Sequence, residues 1–173
     1  PEASELMIGI NAKEAEEKTA DAVLKNRHRI RLDYWEQLLE RFSQSSLALY
    51  SNISPSKDHW LNAGSGLRGC TYGLILLQKE LRVELSISRF DADENKQIFD
   101  LLYARKEEIE SSFGGPLVWL PLKNKKACRV GVTTYVDGND KDKSGHWIEW
   151  HFNTITRFEK ALKQPLQDIA ESL

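Results

Sequence analysis

The chain has 173 residues with 24 basic and 26 acidic side chains, a formal net charge of −2. That balance excludes a polycation that gathers nucleic acid by bulk charge, and 40% apolar residues exclude a wholly disordered chain. No apolar run nears the ~20 residues of a membrane-spanning helix, and the acidic start, Pro1 to Glu5, does not read as a signal peptide.

A chain that opens on Pro1 instead of Met is expected to continue upstream. Met7 to Ile10 reads as a short strand or the end of a linker. Ala12 to Lys25, rich in Ala, Glu and Lys, reads as an exposed helix. Residues 1–29 are therefore assigned to a charged arm, helical in part, and 30–173 to a single domain. Ile30, Tyr34, Trp35, Leu38, Leu39 and Phe42 recur at three- and four-residue steps, which predicts an amphipathic helix over 30–42. Leu47 to Gly69 is dense in Ser, Asn, Pro and Gly and reads as a long loop of the functional kind.

Strands are predicted over 72–78 and 81–88, joined at Lys79-Glu80 as an antiparallel hairpin. In the second, Leu81, Val83, Leu85 and Ile87 alternate with Arg82, Glu84, Ser86 and Ser88. Asp91 to Glu94 supply a cap and acidic first turn for a helix whose apolar stripe is Ile98, Leu101, Leu102, Ile109 and Phe113. Gly114-Gly115-Pro116 ends it. Strands over 117–122 and 128–136 flank a basic turn, Lys123 to Lys126. An apolar stripe from Ile148 to Leu173 predicts a last helix, which Pro165 is expected to kink. The order α-β-β-α-β-β-α implies an α+β fold, a four-stranded, mainly antiparallel sheet packed by helices.

Several ordered blocks carry a family resemblance. They are Ser54-Pro55-Ser56-Lys57-Asp58-His59-Trp60-Leu61-Asn62-Ala63-Gly64-Ser65-Gly66, Arg82-Val83-Glu84-Leu85, Asn95-Lys96-Gln97-Ile98-Phe99-Asp100-Leu101-Leu102, Lys106-Glu107-Glu108-Ile109-Glu110 and Phe113-Gly114-Gly115-Pro116-Leu117-Val118-Trp119. Over about residues 30 to 170 the chain resembles a bacterial family catalogued as domain of unknown function 4268. The resemblance implies no established activity. It does imply a setting, the C-terminal end of a larger protein behind a restriction-type nuclease domain.

The residues themselves give no nuclease. Glu84 sits on a predicted strand but is followed two places on by Ser86, where a restriction-type site needs Lys. Asp91 to Asn95 imitates a calcium loop, yet Lys96 stands where that loop needs Gly and Leu102 where it needs Glu. Helix capping explains those acids better. His59 beside Asp58 has no nucleophile signature with it and reads as an ordinary histidine. Cys70 and Cys128, the only cysteines, lie in apolar stretches and read as small buried hydrophobes in a reducing, cytoplasmic setting. Neither a metal nor another cofactor is expected, and no residue is assigned a catalytic role.

Charge is unevenly spread. Residues 1–24 sum to −4, 25–90 to +4, 91–122 to −4 and 123–143 to +3. The two basic zones motivate a recognition module that contacts DNA beside an upstream nuclease domain of the same polypeptide. Its candidate residues are Lys57, Arg68, Arg82, Arg89, Lys123, Lys125, Lys126, Arg129 and Tyr135. Lys57 and Arg68 would flank an anion-binding nest in the Gly64 to Gly69 loop, for which a plain turn is the bland alternative. Arg82, Arg129 and Tyr135 would share the polar face of the sheet, whose bland alternative is a wet surface. The competing hypothesis is a docking or self-association module, a homodimer, motivated by Trp147, Trp150 and the long stripe of the last helix. A third, enzymatic reading has no constellation behind it.

Overall fold

The structure, a computed structural model, describes residues 2–121 and 125–173, with side chains from Thr19 onward. Its elements are α1 (Glu2–Ser43), β1 (Trp60–Gly64), β2 (Cys70–Leu76), β3 (Glu80–Ile87), α2 (Ala92–Tyr103), α3 (Lys106–Phe113), β4 (Val118–Leu120), β5 (Cys128–Tyr135) and α4 (Ser144–Ser172). A 3-10 turn, Lys141–Lys143, precedes α4. The five strands form one antiparallel sheet in the order β1-β2-β3-β5-β4.

The fold is α+β as expected, but the sheet has five strands and not four. The added strand, β1, lies inside the stretch read as a loop. It is only five residues long, with Leu61 and Ala63 buried between outward Trp60, Asn62 and Gly64. So short an alternation is hidden by the Ser, Asn and Gly around it. The helix predicted after Asp91 is two helices, so the element order is α-β-β-β-α-α-β-β-α. Arg105, at φ −106° and ψ 19°, leaves helical geometry between them. Its guanidinium binds Glu108 and Asp168, each at 2.8 Å, which ties the break to α4. Leu101, assigned to the buried stripe, is instead 39% exposed on α2. Met7 to Ile10 belong to α1, not to a strand, and Pro165 lies buried within α4, which runs on to Ser172.

Alternation on β3 dictates which face is covered. Leu81, Val83, Leu85 and Ile87 are fully buried beneath α4, while the residues between them are half-buried on the other side. Tyr34, Trp35, Leu38 and Phe42 of α1 join the same core, with Ile155, Phe158 and Leu162 of α4. Burying each such side chain contributes roughly 1.5–3 kcal/mol. Trp147 and most of the apolar stripe of α4 are therefore buried within the chain, and Trp150 is half-buried against the same core.

A buried polar chain joins α1, α4 and the sheet. The Tyr34 hydroxyl donates to His151 Nδ1 at 2.5 Å, and His151 Nε2 donates to the carbonyls of Ile75 at 3.2 Å and Arg82 at 3.3 Å. Burial drives the imidazole pKa down to about 4, partly offset by those carbonyl bonds. Burial also raises the Tyr34 phenol well above its ordinary value, so it remains a donor. His151 is neutral and acts as a strut.

Candidate nucleic-acid interface

One end of the sheet gathers the turn before β2, the segment after β3 and the residues leading into β5. Three contacts hold them together. Ser88 donates from its backbone to the Gly69 carbonyl at 2.8 Å, and Arg89 Nε donates to the Arg68 carbonyl at 2.8 Å. Asn95, fully buried on α2, supplies the third. Its Oδ1 accepts from the Arg89 backbone at 2.6 Å, while its Nδ2 donates to the carbonyls of Arg89 and Lys126, both at 3.0 Å. Gly69 is obligatory here. Its φ is +81°, and a Cβ would sit 2.5 Å from Arg89 Cγ. Arg68, Arg89, Lys125 and Lys126 are thereby brought to one rim.

Phe90 projects from that rim at 94% exposure, with the Lys126 ammonium 4.2 Å from its ring centre. Its exposure has a local cause. Asp91 caps α2 by accepting from Asp93 N at 2.8 Å, which puts Phe90 just before the cap. An apolar residue there usually packs against the fourth helical position, but that position is Asn95, already spent on the two loops. Phe90 is left in solvent. The first turn of α2 adds Asp93 and Glu94, and Glu94 pairs with Arg89 at 3.7 Å.

The polar face of the sheet is arranged differently. The pairings Arg82↔Thr133, Ser86↔Arg129 and Glu80↔Tyr135 do place Arg82, Arg129 and Tyr135 on one side. Both arginines, however, converge on Glu84 Oε2, from Arg82 at 3.3 Å and Arg129 at 3.4 Å. Arg82 also reaches Glu80 at 3.4 Å. Gly73 and Gly131 oppose Glu84 on its two neighbouring strands, so no side chain stands directly across from it on either. Positive charge on this face is matched by negative charge. Tyr135, 83% exposed, stands at the far end of β5 from Lys125 and Lys126.

Lys57 also belongs to that far end. It precedes β1, and its carbonyl accepts from Arg31 at 3.3 Å, whereas Arg68 follows β1. A nest flanked by both therefore does not form. The Gly64 to Gly69 segment is a turn in which Ser65 Oγ donates to the Cys70 carbonyl and accepts from Leu67 N. Lys123 lies outside the described residues.

A family model for a domain of unknown function, DUF4268, matches residues 30–166. The chain belongs to that family. No curated protein and no solved structure matches it. The matched span of the DUF4268 domain begins inside α1 and includes both the rim and the polar face.

Burial pushes the Cys70 thiol up to about 11 and raises Cys128 as well, so neither supplies a thiolate at neutral pH. Asp91 serves as a cap, as the acidic run before α2 suggested. Among the described residues, no three or more His, Cys, Asp and Glu side chains gather as a metal site would need. Also among them, no helix is long and apolar enough to cross a membrane. A shallow open depression of about 370 Å³ on α2, lined by Asp93, Lys96, Gln97, Asp100 and Leu101, offers no enclosed cavity. Two residues of the rim escaped the sequence reading. Phe90 carried a signal, an apolar residue before a cap with no apolar partner four positions into the helix. Asn95 carried none, because its partners come from two other loops.

Proposed function

We propose that this DUF4268 domain is a non-catalytic accessory module that contacts DNA through the rim around Phe90, in the service of an upstream nuclease domain. The observation that carries the reading is Phe90 itself, an exposed aromatic held on a rigid loop with a cation over its ring. An aromatic face of this kind stacks on an unpaired base, worth ~1–3 kcal/mol per base. Among the described residues no ion pair engages Arg68, Lys125 or Lys126, which leaves their charge for phosphates. Asp93 and Glu94 border the rim on α2 and direct a strand toward Arg68. The nuclease partner is taken from the family resemblance.

Fluorescence anisotropy with labelled single-stranded and duplex DNA, across a salt series, tests the reading. Single strands should bind more tightly than duplex, with a log–log salt slope of about −2 for three phosphate contacts. Phe90→Ala should weaken binding by roughly 5- to 100-fold without changing that slope, and Lys126→Ala should flatten it. Binding that ignores salt, or that neither variant alters, refutes the proposal.

A further inference from the structure

The two edges of the sheet are finished differently. At one edge β4 is closed. It runs for three residues between Pro116 and Pro121, and the N–H of Leu117, just before it, donates to Glu110 Oε2 at 2.6 Å. The same oxygen accepts from the Trp119 indole at 3.3 Å. Prolines and a charged side chain are usual means of keeping a further strand off an edge.

At the other edge β1 has neither. Trp60-Leu61-Asn62-Ala63-Gly64 carries no charge and no proline. Two bonds at its ends fix which way its main chain faces. Leu76 N donates to the His59 carbonyl at 2.8 Å, and Ser65 N donates to the Cys70 carbonyl at 3.3 Å. Residues that bond one neighbour alternate along an antiparallel strand, so Leu61 and Ala63 bond β2 opposite Leu74 and Tyr72. The N–H and C=O groups of Trp60, Asn62 and Gly64 therefore point away from the sheet. Among the described residues, no loop or side chain takes them up. Trp60 is 42% exposed, and a Cβ placed on Gly64 would meet nothing within 4 Å.

We propose that β1 pairs antiparallel with β1 of a second copy of this chain, about a two-fold axis at Asn62, joining the two sheets edge to edge. The three outward residues are evenly spaced about Asn62, so every outward N–H meets an outward C=O. A slip of two residues would leave Trp60 or Gly64 unpaired. The register sets each Trp60 opposite the bare Gly64 of the other copy, twice over, as an isologous interface requires. At the axis the two Asn62 amides face each other, each with a donor and an acceptor. Any strand would satisfy the main chain, but β1 itself also supplies the glycine that leaves room for the indole. The inference is independent of the DNA reading, because no residue of β1 belongs to the rim.

Sedimentation equilibrium of the whole chain, from about 1 to 100 μM and at low and high salt, reads it. A dimer that keeps its affinity at high salt is expected, since no charge enters the pairing. Asn62→Pro should loosen it at least about tenfold and leave the fold intact by circular dichroism, because the N–H it removes bonds nothing within the chain. Asn62→Lys and Asn62→Asp, each alone, place like charges across the axis and should also loosen it about tenfold or more, while an equimolar mixture of the two should recover the dimer. A strict monomer at 100 μM, which leaves the edge to a strand of another protein, overturns the proposal. So does a dimer indifferent to these substitutions, or a Lys and Asp mixture that stays as weak as either variant alone.

Discussion

Acidification should unfold this domain earlier than its carboxylates alone would dictate, because of His151. The imidazole is fully buried, and the hydrogen bonds to it come from the Tyr34 hydroxyl and two main-chain carbonyls, none from a carboxylate. The rings against it are those of Tyr34, Trp35 and Trp150. Its pKa falls from 6.5 to about 4 on folding. Above about pH 6.5 both folded and unfolded forms are neutral and the group leaves stability unchanged. Between the two values the unfolded chain takes up a proton that the native one refuses, so stability declines as pH drops, by about 1.4 kcal/mol per unit. Below about pH 4 both forms are protonated and this contribution to the loss is complete. The whole interval amounts to about 3 kcal/mol, a large part of the roughly 5–15 kcal/mol that holds a domain together. Urea unfolding at intervals from pH 7.5 to 4, for the parent chain and for His151→Gln, isolates the effect. Gln is less stable at neutral pH but has nothing to titrate, so the two stability curves should converge as pH falls. The ion pairs of Arg105, which hold Glu108 and Asp168 below their ordinary carboxylate values, occur in both proteins and cancel. Parallel curves, or an NMR titration of His151 near 6.5, would refute the argument.

Two further substitutions probe the rim. Asn95→Ala removes three hydrogen bonds from a fully buried position and orphans the Arg89 and Lys126 main chains. It should cost ~2–4 kcal/mol in urea unfolding and speed amide exchange at residues 89 and 126. Gly69→Ala forces a positive φ of +81° on a residue with a Cβ and drives that atom to 2.5 Å from Arg89 Cγ. A loss of ~1–3 kcal/mol is expected, with weakened DNA binding through the displaced Arg89, and an unchanged melting temperature would contradict it.

Much of the fold is legible where a single strong period dominates. The two-residue alternation of β3 gives its buried face and its partner hairpin without help, and the three- and four-residue steps from Tyr34 to Phe42 give the docking half of α1. Legibility fails where a segment is short or where a distant group decides. β1 is too brief for its alternation to stand out. The break at Arg105 depends on Asp168, far along the chain, which claims one side of the guanidinium. His151 and Asn95 sit on helices as unremarkable polar residues, and only the tertiary arrangement shows that each bridges segments distant in sequence. The polar face was half legible. Arg82 and Glu84 at two-residue spacing already share one face of one strand, but Glu80, assigned to the joint, begins β3, and the second cation on Glu84, Arg129, needs the register between β3 and β5.

That same spacing explains why the proposed contact with DNA is placed at the end of the sheet and not on its face. On a strand, side chains two apart lie on one side, so a Glu-x-Arg-x-Glu run makes each cation the neighbour of an acid before any partner arrives. A phosphate approaching Arg82 would meet Glu80 and Glu84 as well, and displacing them exposes half-buried carboxylates to repulsion. At the rim the geometry is reversed. The acids there lie within four residues, from the cap Asp91 into the first turn of α2, where Asp91 is occupied by the cap and Glu94 is directed at Arg89. The cations come from three separate segments, so they are spread around Phe90 while the acids are confined to its α2 side. Charge of both signs is present at each place, and the backbone periodicity decides whether it cancels locally or separates into a surface that a strand can follow.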